Sequence, residues 1–220
     1  MQVSSTEERE SLIRAVRALF EAGVMSHAGH ANASVRVGEG SMLLTSSGTV
    51  RGLTPEHLAV VSFDGTVTEG ELEPVTKEIV SMHTTVYRAR PETGAVIHTH
   101  SPHVTGFALA NEALPCRYEA LLRFGQTDVV PVVPWAPRGS RESTEGIAEA
   151  VRDHPHTHAV LLGNHGLLAF AADAATTASL VVAIEEAAEA EQRAKAFGGA
   201  RDFPPSAWEK ARASMARAEG

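Results

Sequence analysis

The sequence predicts one α/β domain with a mixed central sheet and helices on both faces. Three observations carry that prediction. Strand-like and helix-like apolar patterns alternate irregularly along the chain, without an internal repeat. No linker divides the 220 residues, 43% of them hydrophobic, which suffices for one sizeable core spanning residues 1–220. Asp64-Gly65, set between the apolar segments 59–63 and 66–68, is a hairpin signal, so at least part of the sheet is antiparallel.

The elements follow in order. Ser5 and Glu8 have the spacing of a capping box, and Leu12, Ile13, Val16, Leu19, Phe20 and Val24 continue at helical spacing until Gly23 marks the stop. Residues 29–36 form a small-residue loop entering a strand, and residues 41–45 form the next strand, ending in "TSSG". Thr54-Pro55-Glu56 starts a short helix, and the Asp64-Gly65 hairpin comes next. Residues 76–89 read as one helix with Ile79, Met82 and Val86 on one side and Pro91 beyond its end. Ala95-Val96-Ile97 is a short buried strand running into His98-Thr99-His100, with Ser101 as N-cap and Pro102 as first helical residue. A proline-rich stretch, 129–137, leads to a helix over 140–152. Residues 158–162 form a strand that stops at "GNHG", and 167–170 continue extended. Asp173 caps the longest helix, which ends near Gly198-Gly199, and Ser206 with Glu209 caps a final short one.

Composition excludes several function classes. The net charge is −8 and no run of Lys or Arg forms a stripe, so no nucleic-acid partner is expected. The start, MQVSSTEERE, lacks the apolar centre of a signal peptide, and apolar runs such as 180–184 are far too short to span a bilayer, so no membrane partner is expected. Cys116 is the single cysteine, which rules out an internal disulfide framework. A soluble cytoplasmic protein is the expectation.

The histidines carry the chemistry. In an extended chain, side chains at i and i+2 share a face, so His98 and His100 aim two imidazoles into one small volume at a strand end. His165 in "LLGNHGLL" stands at another strand end, between glycines that permit a sharp turn. Three histidines with an open fourth position is a usual arrangement for catalytic zinc. A cupin would need a glutamate soon after the pair, where Val104 and Thr105 stand, and an amidohydrolase barrel needs a longer chain. His27 and His30 flank the small loop and could border the site, and His103 is placed to support the pair. His154, His156 and His158 read as a solvated turn, His83 as a packed helix histidine and Cys116 as inert. Glu78 in "PVTKEIVSMH" lies in the first turn of its helix, where a carboxylate serves either the helix dipole or acid–base chemistry.

These segments together resemble the class II aldolase/adducin family over nearly the whole chain, from about Leu12 to about Arg193. "HANASVR" resembles that family's Gly-Asn-x-Ser-x-Arg loop, "LLTSSG" its Thr-Pro-Thr-Gly loop, and "TKE" its Ser-Ser-Glu segment. "VIHTHSPH" and "NHGLL" resemble its two metal segments. The resemblance implies a three-layer α/β/α fold with a mixed, mainly antiparallel sheet. It implies a divalent metal on His98, His100 and His165, zinc first, with manganese, cobalt or iron able to substitute. It implies Glu78 as the acid–base residue and phosphate contacts from Asn32, Ser47, Gly48, Thr76 and Lys77. The implied activity is that of a metal-dependent lyase performing retro-aldol cleavage through an enediolate, on a small sugar phosphate or related anionic hydroxy-carbonyl compound. Decarboxylation or epimerisation on the same site, and a non-catalytic adducin-like module, are the alternatives. A homotetramer is implied as well. Ala31 stands where the family has glycine, Lys77 where it has serine or threonine, and Glu78 is one residue farther from His83 than usual.

Overall fold

The computed structural model describes residues 6–218, so the Ser5–Glu8 capping box lies outside the described residues. The helices are α1 (Thr6–Glu21), α2 (Pro74–Lys77), α3 (Val80–Ala89), α4 (Pro102–Ala110), α5 (Glu119–Leu122), α6 (Arg141–Asp153), α7 (Ala174–Ala194) and α8 (Ala207–Ala218). The strands are β1 (Ala31–Val37), β2 (Ser41–Thr45), β3 (Leu58–Ser62), β4 (Val67–Glu69), β5 (Ala95–Thr99), β6 (Val132–Val133), β7 (Ala159–Leu162) and β8 (Gly166–Ala171).

Among the described residues all eight strands join one sheet, in the order β4-β3-β2-β1-β5-β8-β7-β6. Every neighbouring pair is antiparallel except β6 with β7. Alternate side chains feed two cores. Ala95, Ile97, Leu161, Leu167 and Ala169 pack with α1, α4, α5 and α7 on one face. Val96, Val160, Leu162, Leu168 and Phe170 pack with α3 and α6 on the other. Both faces of β7 and β8 are covered, which is why these two strands read as unbroken apolar runs. The result is the expected three-layer α/β/α arrangement.

Three elements depart from the sequence reading, and one of them is simply the four-residue α5, which the apolar pattern does not mark. The helix expected over 76–89 is divided into α2 and α3 at Glu78-Ile79. The Ile79 N–H donates to the Thr76 carbonyl at 3.1 Å, a tight i→i−3 bond. The front of the segment is tied elsewhere: the Glu73 N–H and the Thr76 hydroxyl both donate to the Ser46 carbonyl, at 3.0 Å each. Glu78 therefore follows the last residue of α2 and does not sit in the first turn of a long helix. The break was silent in the pattern because Ile79, Met82 and Val86 keep their spacing across it. The last departure is β6, inside the proline-rich stretch. Its ends are pinned where the Leu161 N–H meets the Pro131 carbonyl and the Gly163 N–H meets the Val133 carbonyl, at 2.8 Å each. An edge strand tolerates flanking prolines, which cannot donate to a ladder.

Candidate active site

The β5–β8 register builds the site. His98 pairs with Leu168, and Thr99 with Leu167, so the turn before β8 lies beside the end of β5. His165 stands in that turn after Asn164, whose φ of 56° is left-handed. A side chain on Gly166 would come within 2.5 Å of the Thr99 carbonyl oxygen and 2.9 Å of His100 Cδ2. Only glycine lets β8 start this close to the histidines.

His98, His100 and His165 present ring nitrogens that all lie within 4.8 Å of one another. The His98 and His100 Nε2 atoms approach to 3.0 Å. His98 Nδ1 lies 2.8 Å from the Leu167 carbonyl oxygen, which can only accept. Nδ1 therefore carries the proton and the bare Nε2 points into the cluster. Burial holds His98 well below the ordinary histidine range, reinforced by His165 and His100. Burial, with His100 and Arg138 beside it, lowers His165 to about 4. Burial also lowers His100, with His30 and Arg138 adding to the effect. Three neutral imidazoles, one fixed by a carbonyl, are the donor set a divalent ion requires at neutral pH, so the residues present fit such an ion.

The cluster opens into a cavity of about 520 Å³ that His98, His100 and His165 share with Asn32, Gly48 and Thr76. A neighbouring cavity of about 310 Å³ is walled by Met82, Val133, Trp135 and Leu162, and Glu78 lies on its rim. Ile79, Arg138 and His165 line both. Of the five anion contacts implied by the resemblance, Asn32, Gly48 and Thr76 thus face the histidines. Ser47 and Lys77 are not on the cavity wall: the Ser47 hydroxyl donates to the Thr49 carbonyl at 2.8 Å, and Lys77 is exposed at the end of α2. Glu78 is half-exposed, lies outside the three-histidine group, and has Oε2 3.9 Å from Arg138 Nε.

Of the two histidines that flank the small loop, His27 is not on the wall of the larger cavity and His30 is, with Nδ1 3.2 Å from the Gly48 carbonyl oxygen. His103 turns away from the pair toward α7, where its Nδ1 meets Gln192 Oε1 at 3.1 Å. Burial pushes the Cys116 thiol up to about 11, which keeps it unreactive. Arg138 is the residue sequence reasoning missed. Its one available signal was the following glycine: Gly139 has φ 72°, and a side chain there would meet the Glu78 carbonyl oxygen at 2.9 Å. The 138–139 turn is therefore pressed against the Glu78 backbone.

Residues 10–191 match the Class II Aldolase and Adducin N-terminal domain. The chain is 31% identical over 161 residues to a 5-methylthioribulose-1-phosphate/5-deoxyribulose-1-phosphate aldolase of Escherichia coli O45:K1, covering 73% of this chain and 71% of that protein. It is 30% identical over 199 residues to a 3-oxo-tetronate 4-phosphate decarboxylase of Haemophilus influenzae, covering 86% of each. A solved L-fuculose 1-phosphate aldolase superposes with a TM-score of 0.85 at 27% identity, over 97% of this chain and 98% of that one. With a match that takes in both histidine segments and a sheet shared nearly end to end, the chain belongs to the class II aldolase and adducin family.

Proposed function

We propose that the protein is a metal-dependent lyase that cleaves a small sugar phosphate by a retro-aldol reaction. One observation carries the reading: three neutral imidazoles open onto the same cavity as Asn32, Gly48 and Thr76. His98, His100 and His165 would hold the ion, zinc first, with manganese, cobalt or iron able to substitute. When bound, a divalent ion supplies Lewis-acid polarisation of a carbonyl oxygen. Asn32, Gly48 and Thr76 take the phosphate, and Ser47 and Lys77 adjoin Gly48 and Thr76 in sequence. Glu78 moves the proton after its half-exposed side chain leaves Arg138 and turns toward the histidines. The intact histidine set argues against a non-catalytic scaffold. A homotetramer working in the cytoplasm is part of the same reading; no helix among the described residues is long and apolar enough to cross a membrane.

Arg138 favours one second reading. A guanidinium on the wall of both cavities suits a substrate carboxylate, as a decarboxylase would require. Metal-loaded protein given 5-deoxyribulose 1-phosphate should release acetaldehyde and dihydroxyacetone phosphate, by breaking the bond between the third and fourth carbons. Carbon dioxide release from 3-oxo-tetronate 4-phosphate, with no aldehyde from any ketose 1-phosphate, would move the assignment to decarboxylation.

A further inference from the structure

Behind the larger cavity, Asn32 is the front end of a buried polar chain whose other members have no part in the proposed reaction. Asn32 pairs with His98 across β1 and β5, and Ser34 with Val96, so both point to the α3 face of the sheet. There Asn32 Oδ1 lies 2.6 Å from His83 Nε2, His83 Nδ1 lies 2.7 Å from Ser34 Oγ, and Ser34 Oγ lies 2.8 Å from the Tyr87 hydroxyl. His83, Ser34 and Tyr87 are 0–1% exposed and Asn32 is 7% exposed, on the cavity wall.

The chemistry of these groups fixes the direction of the chain. Burial lowers His83 to about 3, so the ring is neutral and has one N–H and one bare nitrogen. An amide oxygen only accepts, so His83 Nε2 donates to Asn32 and Nδ1 accepts the Ser34 hydroxyl hydrogen. Tyr87, held protonated by burial, donates to Ser34 in turn. With its oxygen committed, Asn32 has only its amide nitrogen left for the cavity, and that nitrogen carries two donors. A reversed amide would set an oxygen against an anion.

We propose that His83 is a positioning residue: backed by Ser34 and Tyr87, it holds the Asn32 amide with its N–H groups toward the bound anion. The proposal rests on reading the larger cavity as a phosphate site. It is tested on metal-loaded protein with inorganic phosphate as the probe, by titration calorimetry, and with ¹⁵N spectra of histidine-labelled protein. His83→Phe should weaken phosphate about tenfold, matching Asn32→Ala, the size of one hydrogen bond to a charged group. His83→Gln, whose amide can still donate to Asn32, should stay within about threefold of the parent. Metal content should be unchanged in all three. The ¹⁵N spectra should place the His83 proton on Nε2. A proton on Nδ1 overturns the proposal alone, as does unchanged phosphate affinity in His83→Phe, or equal weakening in Phe and Gln. A parent protein that binds no phosphate overturns the anion-site reading and the proposal with it.

Discussion

Glu78 is the residue whose position most needs a functional measurement. It does not cap the start of a long helix, because the chain breaks there, and its one charged contact among the described residues is Arg138 at 3.9 Å. Glu78→Gln should therefore leave the melting temperature and metal content nearly unchanged and lower turnover by roughly 10²–10⁴, the usual worth of general acid–base catalysis. A near-normal rate in the metal-loaded variant would remove it from the mechanism. His83 gives a pH prediction. Its folded pKa is about 3 and its ordinary value 6.5. Between those limits the unfolded chain binds a proton that the folded chain refuses, so stability is full above pH 6.5 and falls on acidification. From pH 6.5 to 5 the parent should lose about 1.6 kcal/mol that His83→Gln does not, as read from urea unfolding at the two pH values. At this scale the sequence was readable where chemistry repeats at short range. His98 and His100 are separated by a strand's period of two, and His165 is announced by glycines. Arg138 and the partnership of His83 with Asn32 were not readable, because the contacts join distant segments and only the sheet register brings them together.

The helices show what short-range spacing leaves out. Ser101 stands at the N-cap of α4, as its sequence suggests, yet its hydroxyl bonds Thr99 Oγ1 at 2.8 Å and caps nothing. The cap comes from α7: both Glu185 carboxylate oxygens accept, from the His103 N–H at 2.7 Å and the Val104 N–H at 2.8 Å. Burial pushes the Glu185 carboxyl up, while those two N–H groups pull it back toward the ionised form. Truncation leaves two donors without a partner, so Glu185→Ala should cost about 1.5–3 kcal/mol in chemical unfolding. A cost below about 0.5 kcal/mol would mean that water replaces the carboxylate. A cap supplied from another helix has no local signature, just as the break between α2 and α3 has none. Strands fared better, since burial on both faces writes β7 and β8 as plain apolar runs, and the missed β6 is the one hemmed in by prolines.

For the whole molecule, the layer order followed from alternating patterns, whereas the strand order did not, because pairing across β1, β5 and β8 is long-range. Trp135 is 63% exposed beside the smaller cavity. Light scattering at micromolar concentration should give about four times the 23.3 kDa chain mass, and a monomer would contradict the tetramer. The three histidines come from the end of β5 and the residue after it, and from the β7–β8 turn, segments that meet only after the sheet has formed. An ion gripping all three recognises the folded chain and ignores the unfolded one. Mass action then makes the melting temperature a meter of free metal: raising the ion to a hundred times its dissociation constant should add about 2.7 kcal/mol, and a chelator should subtract it. His98→Ala should flatten that dependence. A bound ion on the same three side chains that would polarise a substrate would thus act as a clasp between β5 and the turn before β8, and a cell short of the ion would hold a looser protein as well as an idle one.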